Sequence, residues 1–98
     1  MLFADKLKKL REEKQLLQRQ LAAILKIDTP MYSRIERGER KAKREQVILV
    51  AQYFGVNEDE LLKLWLADRV YDVIREENEA NEVLNIVAEN MIKYGKRI

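Results

Sequence analysis

Apolar residues return every third or fourth position along this chain, in short runs, and that spacing is the signature of helices burying one face. Phe3, Leu7 and Leu10 set the first stripe, with Lys6, Lys8, Lys9, Glu12 and Glu13 turned outward, which predicts a helix over residues 2–14. Gln18 to Leu25 reads as a second, short helix with Leu21 and Leu25 on its buried side. A break follows at residues 26–29, where Asp28 and Thr29 both qualify as N-caps and Pro30 fits a first turn that does not need its N–H. The third helix runs to about Arg37, and Gly38 ends it by accepting a left-handed conformation. Val47, Val50, Ala51 and Phe54 make a fourth stripe closed by Gly55, and Asn57 or Glu58 opens a fifth helix through Leu61, Leu62, Leu64, Trp65 and Leu66. A last stripe, Ala80, Val83, Leu84, Val87, Met91 and Tyr94, stops at Gly95, with Lys93, Lys96 and Arg97 near the negative end of the helix dipole. An all-α fold follows.

The face changes sides inside the fifth stretch. Continuing the Leu61, Leu62, Trp65 side downstream reaches Asp68, Arg69 and Asp72, while Val70, Val73 and Ile74 lie on a stripe that begins at Leu66. Either the helix breaks near Ala67, or one helix packs first into its own domain and then against something else.

Composition removes most catalytic classes. With 98 residues the chain has room for one domain and an appendage, and it holds no Cys and no His, so thiol nucleophiles, imidazole bases, disulfides and nitrogen- or sulfur-ligated metals are excluded. No enzyme, metal or cofactor is expected. The acidic run Glu76, Glu77, Glu79 and Glu82 lacks the alternation and glycine of a calcium loop and reads as a solvated face. No apolar run approaches the roughly 18 residues of a membrane span, and residues 1–14 are too charged for a signal peptide, so the expectation is a cytoplasmic protein with no membrane partner.

The net charge of +2 conceals a polarised chain. Residues 1–57 carry 13 basic and 7 acidic side chains, whereas residues 58–98 carry 6 and 10. Between Arg34 and Arg44 stand six basic residues, Arg34, Arg37, Arg40, Lys41, Lys43 and Arg44, against Glu36 and Glu39. That density suits a polyanion.

Residues 18–37, short helix, tight turn, short helix, are the segment where such a partner would be read. Ala22 supplies a small residue at the helix crossing, and Leu21, Leu25, Ile27, Tyr32 and Ile35 are spaced to lock the second helix onto the first. Gln18, Arg19, Thr29, Ser33, Arg34 and Arg37 leave the other face polar, and the only Ser and the only Thr of the chain both lie there.

On these residues the chain resembles the Cro and phage-repressor class of helix-turn-helix regulators, the XRE family. The matching stretches are Leu7-Lys-Lys-Leu-Arg-Glu-Glu-Lys, Gln18-Arg-Gln-Leu-Ala, Tyr32-Ser-Arg-Ile-Glu-Arg-Gly, and Ala51 with Phe54-Gly-Val, together covering residues 3–62. The resemblance implies a five-helix repressor-like DNA-binding domain over residues 1–62, with its helix-turn-helix at 18–37. By position it implies that Thr29, Pro30, Ser33 and Arg34 face the bases, that Gln18 caps the second helix beside a phosphate, and that Arg11 and Glu36 form a structural ion pair. Arg19, Arg37, Arg40, Lys41, Lys43 and Arg44 are expected on phosphates. Several positions depart from the pattern. Gln15 and Lys26 replace glycines that usually follow the first and second helices, Leu17 offers no capping oxygen, and Lys43 and Arg44 put positive charge where the fourth helix starts. Pro30 replaces a polar reader and can offer only apolar contact, such as to a thymine methyl.

Residues 63–98 then read as a helical extension for dimerisation, with Leu66, Val70, Val73, Ile74, Val83, Leu84, Val87 and Met91 at the interface, because a five-helix domain of about 60 residues does not need so much further apolar surface. The expected function is a dimeric regulator, a repressor or autoregulator, that binds a palindromic operator in double-stranded DNA. The alternative is an antitoxin-like interaction module whose C-terminal helices bind a partner protein.

Overall fold

The computed structural model describes residues 1–95, which fold as six helices: α1 (Leu2–Glu13), α2 (Gln18–Leu25), α3 (Thr29–Glu36), α4 (Arg44–Phe54), α5 (Glu58–Ile74) and α6 (Ala80–Tyr94). The described residues include no strand. Lys96 and Arg97, placed by the sequence near the end of the last helix, lie outside the described residues.

Three tight ends determine how α1 to α4 meet. After α1 the Leu16 N–H donates to the Arg11 carbonyl at 3.1 Å and the Gln15 N–H to Glu12 at 3.0 Å, with Gln15 left-handed at φ 56°. After α2 the Ile27 and Lys26 N–H groups bond Ala22 and Ala23 in the same way, with Lys26 at φ 59°. After α3 Glu39 and Gly38 repeat it onto Arg34 and Ile35, with Gly38 at φ 76°. These are Schellman ends, which need one left-handed residue each. Gln15 and Lys26 therefore keep the turns that glycine would make, at a conformational cost of about 1 kcal/mol each.

The helix starts are capped from unexpected directions. Leu17 and Lys43 have no capping oxygen, but Gln20 and Gln46 each accept the preceding cap residue's N–H, at 2.7 and 2.8 Å, which supplies half of a capping box. Of the two candidates before α3, Asp28 is the cap, accepting from Met31 N–H at 2.8 Å, so the Thr29 hydroxyl is left for other use. Asp68, far along the chain, caps α1: its two carboxylate oxygens accept the Leu2 and Phe3 N–H groups at 2.8 and 2.9 Å.

Phe3, Leu7, Leu10, Leu21, Leu25, Tyr32, Ile35, Val47, Val50, Leu61 and Trp65 fill one core among α1 to α5. α5 does not break near Ala67. It is one helix that buries Leu61, Leu62, Trp65 and Asp68 against its own domain, while Leu66, Val70 and Val73 face outward on the other side. Trp65 and Asp68, beyond residue 62, are both buried against α1 and the loop before α4. Trp65 also ties α5 to the loop before α4, its indole N–H donating to the buried Ala42 carbonyl at 2.7 Å.

α6 is different in kind. It has no buried residue and forms no extended contact with the other helices, and its stripe of Val83, Leu84, Val87, Met91 and Tyr94 stands exposed. It ends at Gly95 in an extended conformation, φ −58° and ψ 169°, and not in the left-handed one.

Candidate nucleic-acid interface

α2 and α3 pack directly on each other, joined by the Lys26 turn, with Ala22 buried and Ile27 half-buried against the core. α3 divides cleanly into two faces. Tyr32, Ile35 and Glu36 point inward, whereas Thr29, Pro30 and Arg34 are exposed and Ser33 is half-exposed beside them. Residues 29, 30, 33, 34 and 37 share one side at helical spacing, so the residues expected to face bases form a continuous polar strip.

A buried charge network holds this strip at a fixed angle. The Arg11 guanidinium donates to both carboxylate oxygens of Glu36, at 2.8 and 2.9 Å, and to the Leu16 carbonyl at 2.8 Å. Glu36 accepts two further bonds, from the Tyr32 hydroxyl at 2.7 Å and the Gln18 amide at 3.1 Å. α1, the α1–α2 turn, α2 and α3 are therefore clamped through one carboxylate. Burial opposes the charged form of Glu36, but the bonds from Arg11, Tyr32 and Gln18 outweigh it and hold the carboxyl below its usual range. Burial, and then the bond to Glu36, pushes the Tyr32 phenol far up, so its hydroxyl stays protonated and internal. The bond to Glu36 raises the Arg11 guanidinium in turn. Gln18 is the first residue of α2, after its Leu17 cap, and its amide is directed at Glu36.

The six basic residues from Arg34 to Arg44 do not share one environment. Arg34, Arg40 and Lys43 are exposed, and no ion pair engages them among the described residues. Arg37 is exposed but held: Glu39 accepts from its Nε and Nη2 at 2.9 and 3.2 Å, and its Nη1 donates to the Ser33 hydroxyl. Lys41 is paired with Asp72 of α5. Arg44 lies over the Trp65 ring, 5.2 Å from its centroid, and Arg69 lies 4.7 Å from the same centroid. The sequence reading did not find Trp65, Asp68 or Asp72 as supports of this surface. A signal was present for Asp68, which continues the buried Leu61 and Trp65 face, where a carboxylate requires a partner; Asp72 follows one turn later, where that side of the helix is exposed.

The family model described as helix-turn-helix matches residues 7–61. The chain belongs to the helix-turn-helix family. It is similar to the uncharacterised HTH-type transcriptional regulator YqaE of Bacillus subtilis (strain 168), with 33% identity over 84 residues that cover 86% of this chain and 68% of that protein. No solved structure matches it. The helix-turn-helix match ends at Leu61, so Trp65, Asp68 and Asp72, which brace the basic loop and the start of α1, all lie beyond it. No helix among the described residues is long and apolar enough to cross a membrane.

Proposed function

We propose that this helix-turn-helix protein is a transcriptional regulator of the Cro and phage-repressor type that binds an operator in double-stranded DNA as a homodimer and represses transcription. The observation that carries the reading is the two-faced α3, with a polar outer strip of Thr29, Pro30, Ser33 and Arg34 rigidly backed by Tyr32, Ile35 and Glu36. An α-helix so presented fits a major groove. Arg34 is the principal base reader, since arginine reaches guanine O6 and N7 with two parallel bonds. Pro30 supplies apolar contact. Arg19, Arg40, Lys43 and Arg44 neutralise phosphates, with Gln18 and Arg37 at the edge of the same surface.

Dimerisation is supported by the exposed apolar stripes of α5 and α6: Val73 is 78% exposed and Met91 63%, Leu66 and Val70 are exposed on α5 with Ile74 half-buried beside them, and Val83, Leu84 and Val87 are exposed on α6. A second copy of α6, about 22 Å long, would cover the α6 stripe. The acidic extension would then lie away from DNA.

Competition binding tests the assignment. Arg34→Ala is expected to weaken specific binding by about 1–3 kcal/mol and relax preference at one base position, while Lys43→Ala weakens binding to all sequences alike. Equal losses on every duplex for Arg34→Ala would remove it as a reader.

A further inference from the structure

We propose that Asp72 withholds Lys41 from the DNA backbone, so that the extension helix, and not the basic loop alone, sets how many phosphates the loop neutralises. This rests on the reading of that loop as a phosphate-binding surface. Three observations carry it.

First, the Lys41 ammonium is ion-paired with the Asp72 carboxylate, a contact that joins the basic loop to α5 while both side chains keep about one-third of their surface exposed, at 37% and 34%. Second, the backbone at both ends of the pair is anchored. Ala42, next to Lys41, is buried and its carbonyl is held by the Trp65 indole. Asp72 stands one helical turn beyond Asp68, whose carboxylate is fixed on the Leu2 and Phe3 N–H groups. To reach a phosphate, Lys41 would have to give up a preformed partner that costs no association entropy. Third, the cations on either side of Lys41 are not so engaged: Arg40 and Lys43 are exposed with no ion pair among the described residues, Arg44 lies over the Trp65 ring, and Arg37 is paired only within the loop, to Glu39.

The groove at the pair is lined by Met1, Gly38, Glu39, Lys41, Asp72 and Arg75. Arg75 and the N-terminal ammonium both add positive potential at the Asp72 carboxylate, which the Lys41 bond, above all, keeps charged. Glu39 faces the same groove but is bound to Arg37. Lys41 is thus a brace between loop and extension, and Asp72 takes one positive charge from those the loop could offer to DNA.

The salt dependence of binding to one fixed duplex separates the alternatives, because each phosphate contact changes the slope of log K against log salt by about 0.9. With folding of each variant verified by circular dichroism, Lys43→Ala is expected to reduce the slope by about one contact, whereas Lys41→Gln leaves it unchanged and lowers the melting temperature. Asp72→Asn is expected to steepen the slope by about one contact, and to do so only while Lys41 is present, so the double variant Lys41→Gln/Asp72→Asn returns to the wild-type slope. A Lys41→Gln variant that loses a contact, together with an Asp72→Asn variant that gains none, overturns the proposal. If Arg40→Ala and Lys43→Ala also leave the slope unchanged, the phosphate-binding reading of the loop itself falls.

Discussion

Glu36 shows how one side chain can set the geometry of a reading surface. It is buried, and it accepts four hydrogen bonds from Arg11, Tyr32 and Gln18. Removing Arg11 leaves a buried carboxylate without its cation, so Arg11→Ala should destabilise the fold by about 3 kcal/mol, read as a lower midpoint in urea unfolding. Because Glu36 is held below its usual range in the fold, its contribution is complete above the ordinary carboxylate pKa of 4.5 and is lost as pH falls through the lower folded value. Glu36→Gln should therefore lower stability at neutral pH and flatten its decline in acid. A Glu36→Gln variant with the wild-type acid profile would show that the carboxylate carries no such linkage. At Lys26, where φ is 59°, glycine should raise stability by about 1 kcal/mol, because the left-handed conformation strains any residue with a Cβ. An unchanged thermal midpoint for Lys26→Gly would contradict that account of the turn.

At the scale of elements, legibility tracked how local the deciding contact was. The start of α3 and the ends of α3 and α4 follow from Asp28, Pro30, Gly38 and Gly55, whose roles act within a turn of themselves, and the sequence displays them. The Arg11 and Glu36 pair was legible only through family resemblance, since 25 residues separate its members and no spacing rule joins them. The capping of α1 by Asp68 spans 65 and 66 residues, and the Trp65 bond to Ala42 spans 23; neither has a local signature beyond a polar group on a buried face. The choice between a broken and a continuous α5 was equally non-local. It was settled by Trp65 and Asp68 finding partners in α1 and the basic loop, which gives the helix a second buried turn past Leu62. Asp68→Ala should cost about 1–2 kcal/mol and fray α1, detected as faster amide exchange at Leu2 and Phe3. Trp65→Phe, which leaves the buried Ala42 carbonyl without its donor, should cost at least about 1 kcal/mol. Wild-type exchange and stability in both variants would mean that α5 does not brace the domain.

Over the whole molecule, charge and apolar surface are sorted along one chain. The basic half carries α3 and its loop, while the acidic half presents an apolar run that its own fold does not cover. α5 belongs to both, meeting the loop through Trp65 and Asp72 and offering Val70 and Val73 on its other side. A homodimer through that side would carry two copies of α3 at a fixed separation. Val73→Asp or Leu84→Asp should yield folded monomers by light scattering, and DNA affinity should fall with dimerisation. A wild-type chain that remains monomeric at high concentration would instead give this face to a different protein.

The proposed function requires that α3 read sequence in two symmetric copies. Selection of bound molecules from random duplex DNA tests this most directly. The expected outcome is a palindromic motif whose half-sites are centred about one helical turn, 10 to 10.5 base pairs, apart, with one position in each half relaxed by Arg34→Ala. Recovery of sequences with no common motif, or of a single asymmetric site unaffected by Arg34→Ala, would contradict it.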